Sequence, residues 1–168
     1  MPMSVVCTTD EVYEAFYADW RAGKAFVHSH TYAGNPLACA CALAVMRILR
    51  RDHVIEKARE TAKWLAAQSE REFSDLDECG EIRRIGLINA IELVRDRKTK
   101  EPFPPSLRLG RRIYRWALSK GLLLRPIGDV LYFNPPLNIG CEDLAFALKT
   151  ASECIRAELA CARKESAL

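Results

Sequence analysis

The stretch HSHTYAGNP, residues 28–36, gathers side chains that bind metals, phosphates and helix ends into very little chain. As a metal site it is weak. His28 and His30 stand two apart and share a face only on a strand, and no third ligand type lies nearby. As an anion site it has more to offer. Asn35 suits a helix N-cap and Pro36 the first helical position. A helix start presents free N–H groups and partial positive charge to a phosphate. Thr31 adds a hydroxyl and its own N–H, and Gly34 lets the backbone come close. The plain alternative is a loop that leads into a capped core helix. The residue types permit an anion site centred on Thr31 and do not select it.

A second candidate sits in LLLRPIGDVLYF, residues 122–133. Arg125 closes an apolar run and precedes Pro126, which favours extended backbone at the arginine. Its planar guanidinium can grip a carboxylate with two parallel hydrogen bonds. An internal Asp or Glu, or solvent, would serve it as well. Tyr132, across the turn, either lines the same pocket or is a half-buried aromatic of a hairpin. The seven cysteines show no CxxC spacing, and Cys39 and Cys41 point apart on a helix. They read as reduced thiols in small core slots, not as disulfides or a zinc site.

These residues need elements to hold them. The 168-residue chain is long enough for a real core. A formal charge of +3, with Lys and Arg scattered, argues against nucleic acid and membrane surfaces as partners. No apolar stretch spans a bilayer and no signal peptide is evident, so a cytoplasmic location is expected.

Residues 3–8 read as a buried strand. Thr9 or Asp10 caps a helix with Val12, Phe16 and Trp20 on one face. Gly23 marks a turn. A helix from Asn35–Pro36, apolar most of the way round, is expected to be buried on most sides. Asp52 reads as the cap of a helix from His53 to about Phe73, with Ile55, Ala58, Ala62 and Leu65 inward. Residues 84–94 read as a strand with Ile85, Leu87, Asn89, Ile91 and Leu93 on one face. Ser106 caps a helix that Gly121 ends. Short strands follow at 122–125 and 130–133, joined by the Pro126–Asp129 turn. Gly140 starts a last helix with Leu144, Ala147, Leu148, Ala151, Ile155 and Leu159 inward. This order gives an α/β fold, a small sheet covered by helices on one side.

The segment KAFVHSHTYAGNPLACACALAV resembles the class III branch of the pyridoxal-phosphate (PLP) aminotransferases. TTDEVYEAFY, GLINAIELVRDRKTKEPFP and GLLLRPIGDVLYFNPPLNI fall in the same family's order, so the likeness covers essentially the whole chain. Within the family the last segment is most similar to the biotin-pathway branch, with the omega-amino-acid:pyruvate branch as the alternative. The resemblance implies a fold-type I PLP-dependent transferase. Residues 1–44 would be the tail of its large domain and residues 45–168 its small C-terminal domain, with a mixed or antiparallel sheet. It implies that Thr31 reaches the cofactor phosphate of the other subunit of a dimer, with His30 beside it. Ser29 lies near the substrate, and Arg125 binds the carboxylate of a keto acid with Tyr132 alongside. Keto-acid and amino-donor small molecules are the partners so implied.

One departure matters more than these matches. The family's chemistry needs a lysine that forms a Schiff base with the cofactor and an acid that keeps the pyridinium nitrogen protonated. In the family both precede the threonine motif, the lysine in a glycine-rich setting absent from this sequence. Lys24, Lys57, Lys63, Lys98, Lys100, Lys120, Lys149 and Lys164 all read as loop or polar-face residues. No catalytic residue is therefore assigned. Met1 is expected to correspond to an internal family residue. The chain would be a C-terminal fragment, inactive in transamination alone, whose partner is a missing N-terminal half or a second copy. A non-catalytic dimerising module or a remnant is the other class of reading.

Overall fold

The computed structural model describes residues 2–166. Met1 and the side chain of Lys164 lie outside the described residues. The chain divides into two compact units, Met1–Asp52 and His53–Leu168.

In the first unit, helix α1 is a short Asp10–Glu14 turn, followed by a 3-10 turn at Trp20–Ala22 and by helix α2, Pro36–Arg51. Gly23 closes the 3-10 turn at φ 65°, a backbone region that suits glycine. The Asn35 side chain caps α2, accepting from the N–H groups of Leu37 at 3.0 Å and Ala38 at 3.1 Å. Two expectations fail here. Residues 3–8 form no strand and are exposed; a strand needs a hydrogen-bonded neighbour, and the described part of this unit offers none. Helix α2 is not buried: Ala38 is its one buried residue, while Leu37 is 67% and Met46 61% exposed. Helix α1 also stops at Glu14, short of Phe16 and Trp20, and Thr9 supplies no side-chain cap bond.

The second unit contains helix α3 (Val54–Phe73), strands β1 (Cys79–Ile85) and β2 (Ile88–Leu93), helix α4 (Leu109–Ser119), strand β3 (Val130–Phe133) and helix α5 (Cys141–Ser166). The strands form one antiparallel sheet in the order β1-β2-β3. Asn89, Ile91 and Leu93 of β2 and Leu131 and Phe133 of β3 are buried in alternation, as one covered face requires. Ala58, Leu65 and Phe73 of α3, Ile113 and Ala117 of α4, and Leu144, Leu148, Ala151, Ile155 and Leu159 of α5 complete a single core. The α/β class with a small helix-covered sheet holds.

The local differences are instructive. Residues 79–93 form a hairpin in place of one strand, turning at Gly86–Leu87, where Gly86 takes φ 56° between the paired Ile85 and Ile88. The ladder shifts register between Cys79 and Glu81, a bulge that falls at Gly80. A Cβ on Gly80 would stand 2.8 Å from Val94. Asp52 does not cap α3, because its carboxylate is held by Arg51 Nε at 2.6 Å and Nη2 at 2.8 Å. His53 precedes α3 in the left-handed region at φ 50°. Ile55 is exposed, so the inner stripe of α3 begins at Ala58. Ser106 lies in a 3-10 turn, Pro105–Leu107, and does not cap α4. Gly121 ends α4 as expected. At φ 84° it donates to Leu118 O at 3.0 Å while Leu122 N–H reaches back to Ala117 O at 2.9 Å. Residues 122–125 are not a strand. Past Pro126, which has no N–H, an isolated bridge joins Ile127 to Val130.

Candidate functional site

The sequence-derived site residues fall into two groups, one in each unit. In the first unit Ser29, His30 and Thr31 are exposed on the loop before α2. His30 O accepts from Ala33 N–H at 2.9 Å, and Tyr32 O accepts from Asn35 N–H at 3.1 Å. These bonds shape residues 30–35 into a turn, with Gly34 at φ 72°. The hydroxyl and N–H of Thr31 make no hydrogen bond among the described residues. They are available to an outside acceptor. The start of α2 is less so, because Asn35 already takes the Leu37 and Ala38 N–H groups. Thr31 and the turn, more than the helix end, are left open to an anion.

The histidines have a packing role. The rings of Phe16, Phe26, His28 and His30 form a continuous run, with His28 and His30 edge to face at 5.1 Å. Among the described residues no group of three or more His, Cys, Asp or Glu is placed to hold a metal ion.

In the second unit Arg125 is exposed and makes no ion pair or hydrogen bond among the described residues. No carboxylate among the described residues takes it. Arg125 borders two cavities. One, of about 390 Å³, is lined by Arg125 together with Tyr132, Leu124, Asn134 and Pro136. The other, of about 850 Å³, adds Phe103, Arg108, Arg111, Tyr114 and Asp129. A guanidinium at an apolar wall with no partner among the described residues suits a carboxylate that brings its own aliphatic chain.

Two residues that position this segment were missed in the sequence. Asp129 Oδ1 accepts from Gly110 N–H at 3.0 Å, which ties the turn after Arg125 to the first turn of α4. The Gly128–Asp129 pair is a turn signal. Nothing in the sequence singled out Gly110.

Comparisons with known proteins place the chain in a family. A family model, aminotransferase class-III, matches residues 1–155, and the chain belongs to that family. The adenosylmethionine-8-amino-7-oxononanoate aminotransferase of Anoxybacillus flavithermus is 42% identical over 155 residues, covering 92% of this chain and 34% of the relative. A putrescine–pyruvate aminotransferase of Pseudomonas aeruginosa is 35% identical, over 92% of this chain and 33% of the relative. Among solved structures, the adenosylmethionine-8-amino-7-oxononanoate aminotransferase of Methanocaldococcus jannaschii matches with a TM-score of 0.80 and 37% identity, over 89% of this chain and 34% of that one. A PMP-bound aminotransferase from Vibrio fluvialis matches at a TM-score of 0.75 and 26% identity, over 83% of this chain and 31% of that one. The chain spans about a third of the length of the curated relatives it matches.

The family is PLP-dependent. This chain fits one part of that cofactor. Thr31, with an uncommitted hydroxyl and N–H, suits the phosphate. No described lysine suits the aldehyde. Each is exposed, and Lys63 and Lys120 are engaged by Glu60 and Glu153 at 2.8 and 2.9 Å. A lysine amine poised for covalent chemistry sits desolvated or beside another cation.

Proposed function

We propose that this chain is the C-terminal portion of an aminotransferase of biotin biosynthesis, which aminates 8-amino-7-oxononanoate to 7,8-diaminononanoate with S-adenosylmethionine as donor. The observation that carries this reading is the 42% identity to such an enzyme spread over 92% of the chain. Arg125, with no partner among the described residues, supports it.

Each residue then has a limited task. Arg125 grips the acceptor carboxylate and Tyr132 walls the same cavity. Ser29 lies beside the acceptor. Thr31 donates to the cofactor phosphate of the partner subunit, with His30 next to it. PLP, when bound, supplies the electron-withdrawing ring and the aldehyde through which the amino group passes from donor to acceptor. None of these five residues makes or breaks a bond. The lysine and the ring-nitrogen acid belong to an N-terminal half, and the working assembly is a dimer that includes it. Seven free thiols support a reducing, cytoplasmic setting. The tail of the large domain then ends near residue 44, within α2, and the small domain follows.

Two other readings have specific support. The putrescine–pyruvate relative favours an omega-amino-acid:pyruvate aminotransferase, whose acceptor carboxylate Arg125 would grip equally well. The bare apolar side of α2 favours a dimerising fragment or remnant without catalysis.

The test has two stages. The purified chain is mixed with PLP, reduced with borohydride and mapped by mass spectrometry. No lysine should carry the label; a stoichiometric adduct on one lysine would overturn the assignment of the lysine to another segment. The chain is then co-expressed with the N-terminal part of a class III aminotransferase and assayed with 8-amino-7-oxononanoate and with pyruvate. Transamination of the first supports the biotin reading, and of pyruvate alone the omega-amino-acid reading. Activity with neither acceptor supports the non-catalytic one.

A further inference from the structure

The turn that follows Arg125 is fastened at both ends. Ile127 and Val130 exchange backbone hydrogen bonds of 2.9 and 3.0 Å. Asp129 is then held twice. Its carbonyl accepts from Leu93 N–H at 3.1 Å, at the end of β2, and its carboxylate accepts from Gly110 N–H at 3.0 Å.

The second bond replaces a missing cap. Arg108, the residue before α4, is in the left-handed region at φ 48° and gives no side-chain cap. A first-turn N–H of α4 would otherwise go unsatisfied. Asp129 satisfies it from across the turn, and its negative charge suits a helix N-terminus. The approach is close enough to demand glycine at 110. A Cβ there would stand 2.0 Å from Gly128 O and 3.1 Å from Pro126 Cβ. So Gly110 and Asp129 together press the Pro126–Asp129 turn onto α4, and the pyrrolidine ring of Pro126 fixes its own φ next to Arg125.

We infer that Asp129 is a positioning residue for Arg125: its carboxylate, bonded to Gly110 N–H, fixes the backbone from which the arginine reaches its ligand. The inference rests on the reading of Arg125 as a carboxylate clamp. It adds a residue outside that clamp on which the clamp's geometry depends.

The variants Asp129→Ala and Asp129→Asn separate the bond from the charge, since Asn keeps an oxygen acceptor. Amide exchange and side-chain Nε–H spectra of the chain are recorded by NMR, without and with nonanoate as the carboxylate probe. In D129A the Ile127 amide should exchange roughly fivefold faster while Leu148 in α5 is unchanged. D129N should stay within about twofold of the unaltered chain. Nonanoate should shift the Arg125 Nε–H signal in the unaltered chain and in D129N, and bind roughly fivefold more weakly in D129A. Unchanged exchange in D129A, or equal loss in D129N, would overturn the inference. If nonanoate moves Arg125 in no form, the clamp reading fails, and the exchange data still decide what Asp129 does to the turn. Should D129A not fold, exchange in the unaltered chain decides. Gly110 and Ile127 amides that open together support the tether, and rates that differ more than about tenfold overturn it.

Discussion

The Asn89 amide donates to the Ser69 hydroxyl where both residues are wholly buried, between β2 and α3. Asn89 Oδ1 has no partner there. A polar pair in an otherwise apolar layer makes each member depend on the other. Ser69→Ala should therefore lower stability by about 1–3 kcal/mol, the cost of leaving a buried donor unsatisfied. Joining it to Asn89→Leu should recover most of that loss, since removing both partners is close to neutral. Urea unfolding of the three variants checks this; an additive double variant contradicts it.

Leu148 is 1% exposed on α5, and Val6 is 91% exposed ahead of α1. Leu148→Ala should cost about 2–5 kcal/mol. Val6→Ala should stay within about 0.5 kcal/mol. Chemical denaturation measures both. An equal loss at the two positions would contradict the assignment of the core to the second unit.

Gly121 holds φ 84° at the end of α4. Gly121→Ala forces a Cβ into the left-handed region at a cost of about 1–2 kcal/mol. Nothing lies within 4 Å of such a Cβ, so the loss is conformational and not steric. A thermal midpoint equal to that of the unaltered chain would show that the helix end rearranges instead.

Three carboxylates lie below their ordinary range. Asp75 is held down by the hydrogen bond from Arg156, Glu153 by that from Lys120, and Asp96 by the backbone N–H groups of Thr99 and Lys98. The unfolded chain protonates them at higher pH than the folded one. Their stabilisation is complete above the ordinary carboxylate range and fades as pH falls through the lowered folded values. Urea midpoints should fall on acidification below about pH 4. The Asp75 and Glu153 contributions are exposed ion pairs and should shrink in about 1 M salt.

Burial lifts the thiols of Cys79 and Cys154 above their usual value. Cys7, Cys41, Cys141 and Cys161 are exposed, so the expected core slots hold only for Cys79 and Cys154. A thiol reagent should label those four quickly in the native chain and reach Cys79 and Cys154 after unfolding. Mass mapping of a short pulse settles the order.

Local signals in the sequence carried several helix ends and the inward face of α5 well. Asn35–Pro36 and Gly121 announced their helix ends because caps are short-range chemistry. The inward row of α5 was legible from its period. Strand β1 was not, because Glu81, Arg83 and Arg84 hide it; its covered face is sparse and its other face carries charge. The first unit misled for a different reason. Residues 3–8 and α2 have the composition of buried elements, yet the described part of their own unit holds nothing to bury them. Composition reports what a segment is built to meet, not whether the partner is present. Residue type drew attention to Arg125 and Thr31 as candidates, while Gly110 and Asp129 meet through a contact between positions 19 residues apart.

The bulge at Gly80 bears on how the sheet treats other molecules. With the order β1-β2-β3, strand β1 is an edge, and an open edge invites a further strand from another copy. The register break at Gly80 interrupts the row of groups that such a strand would pair with. Past the bulge, Glu81 and Arg83 are paired with each other at 2.9 Å, and Arg83 also reaches Glu92. An incoming strand would have to disturb those charges to dock. The β1 edge is thus guarded against fibril-like growth, which leaves β3, the sheet's other edge, as the side open to a further strand.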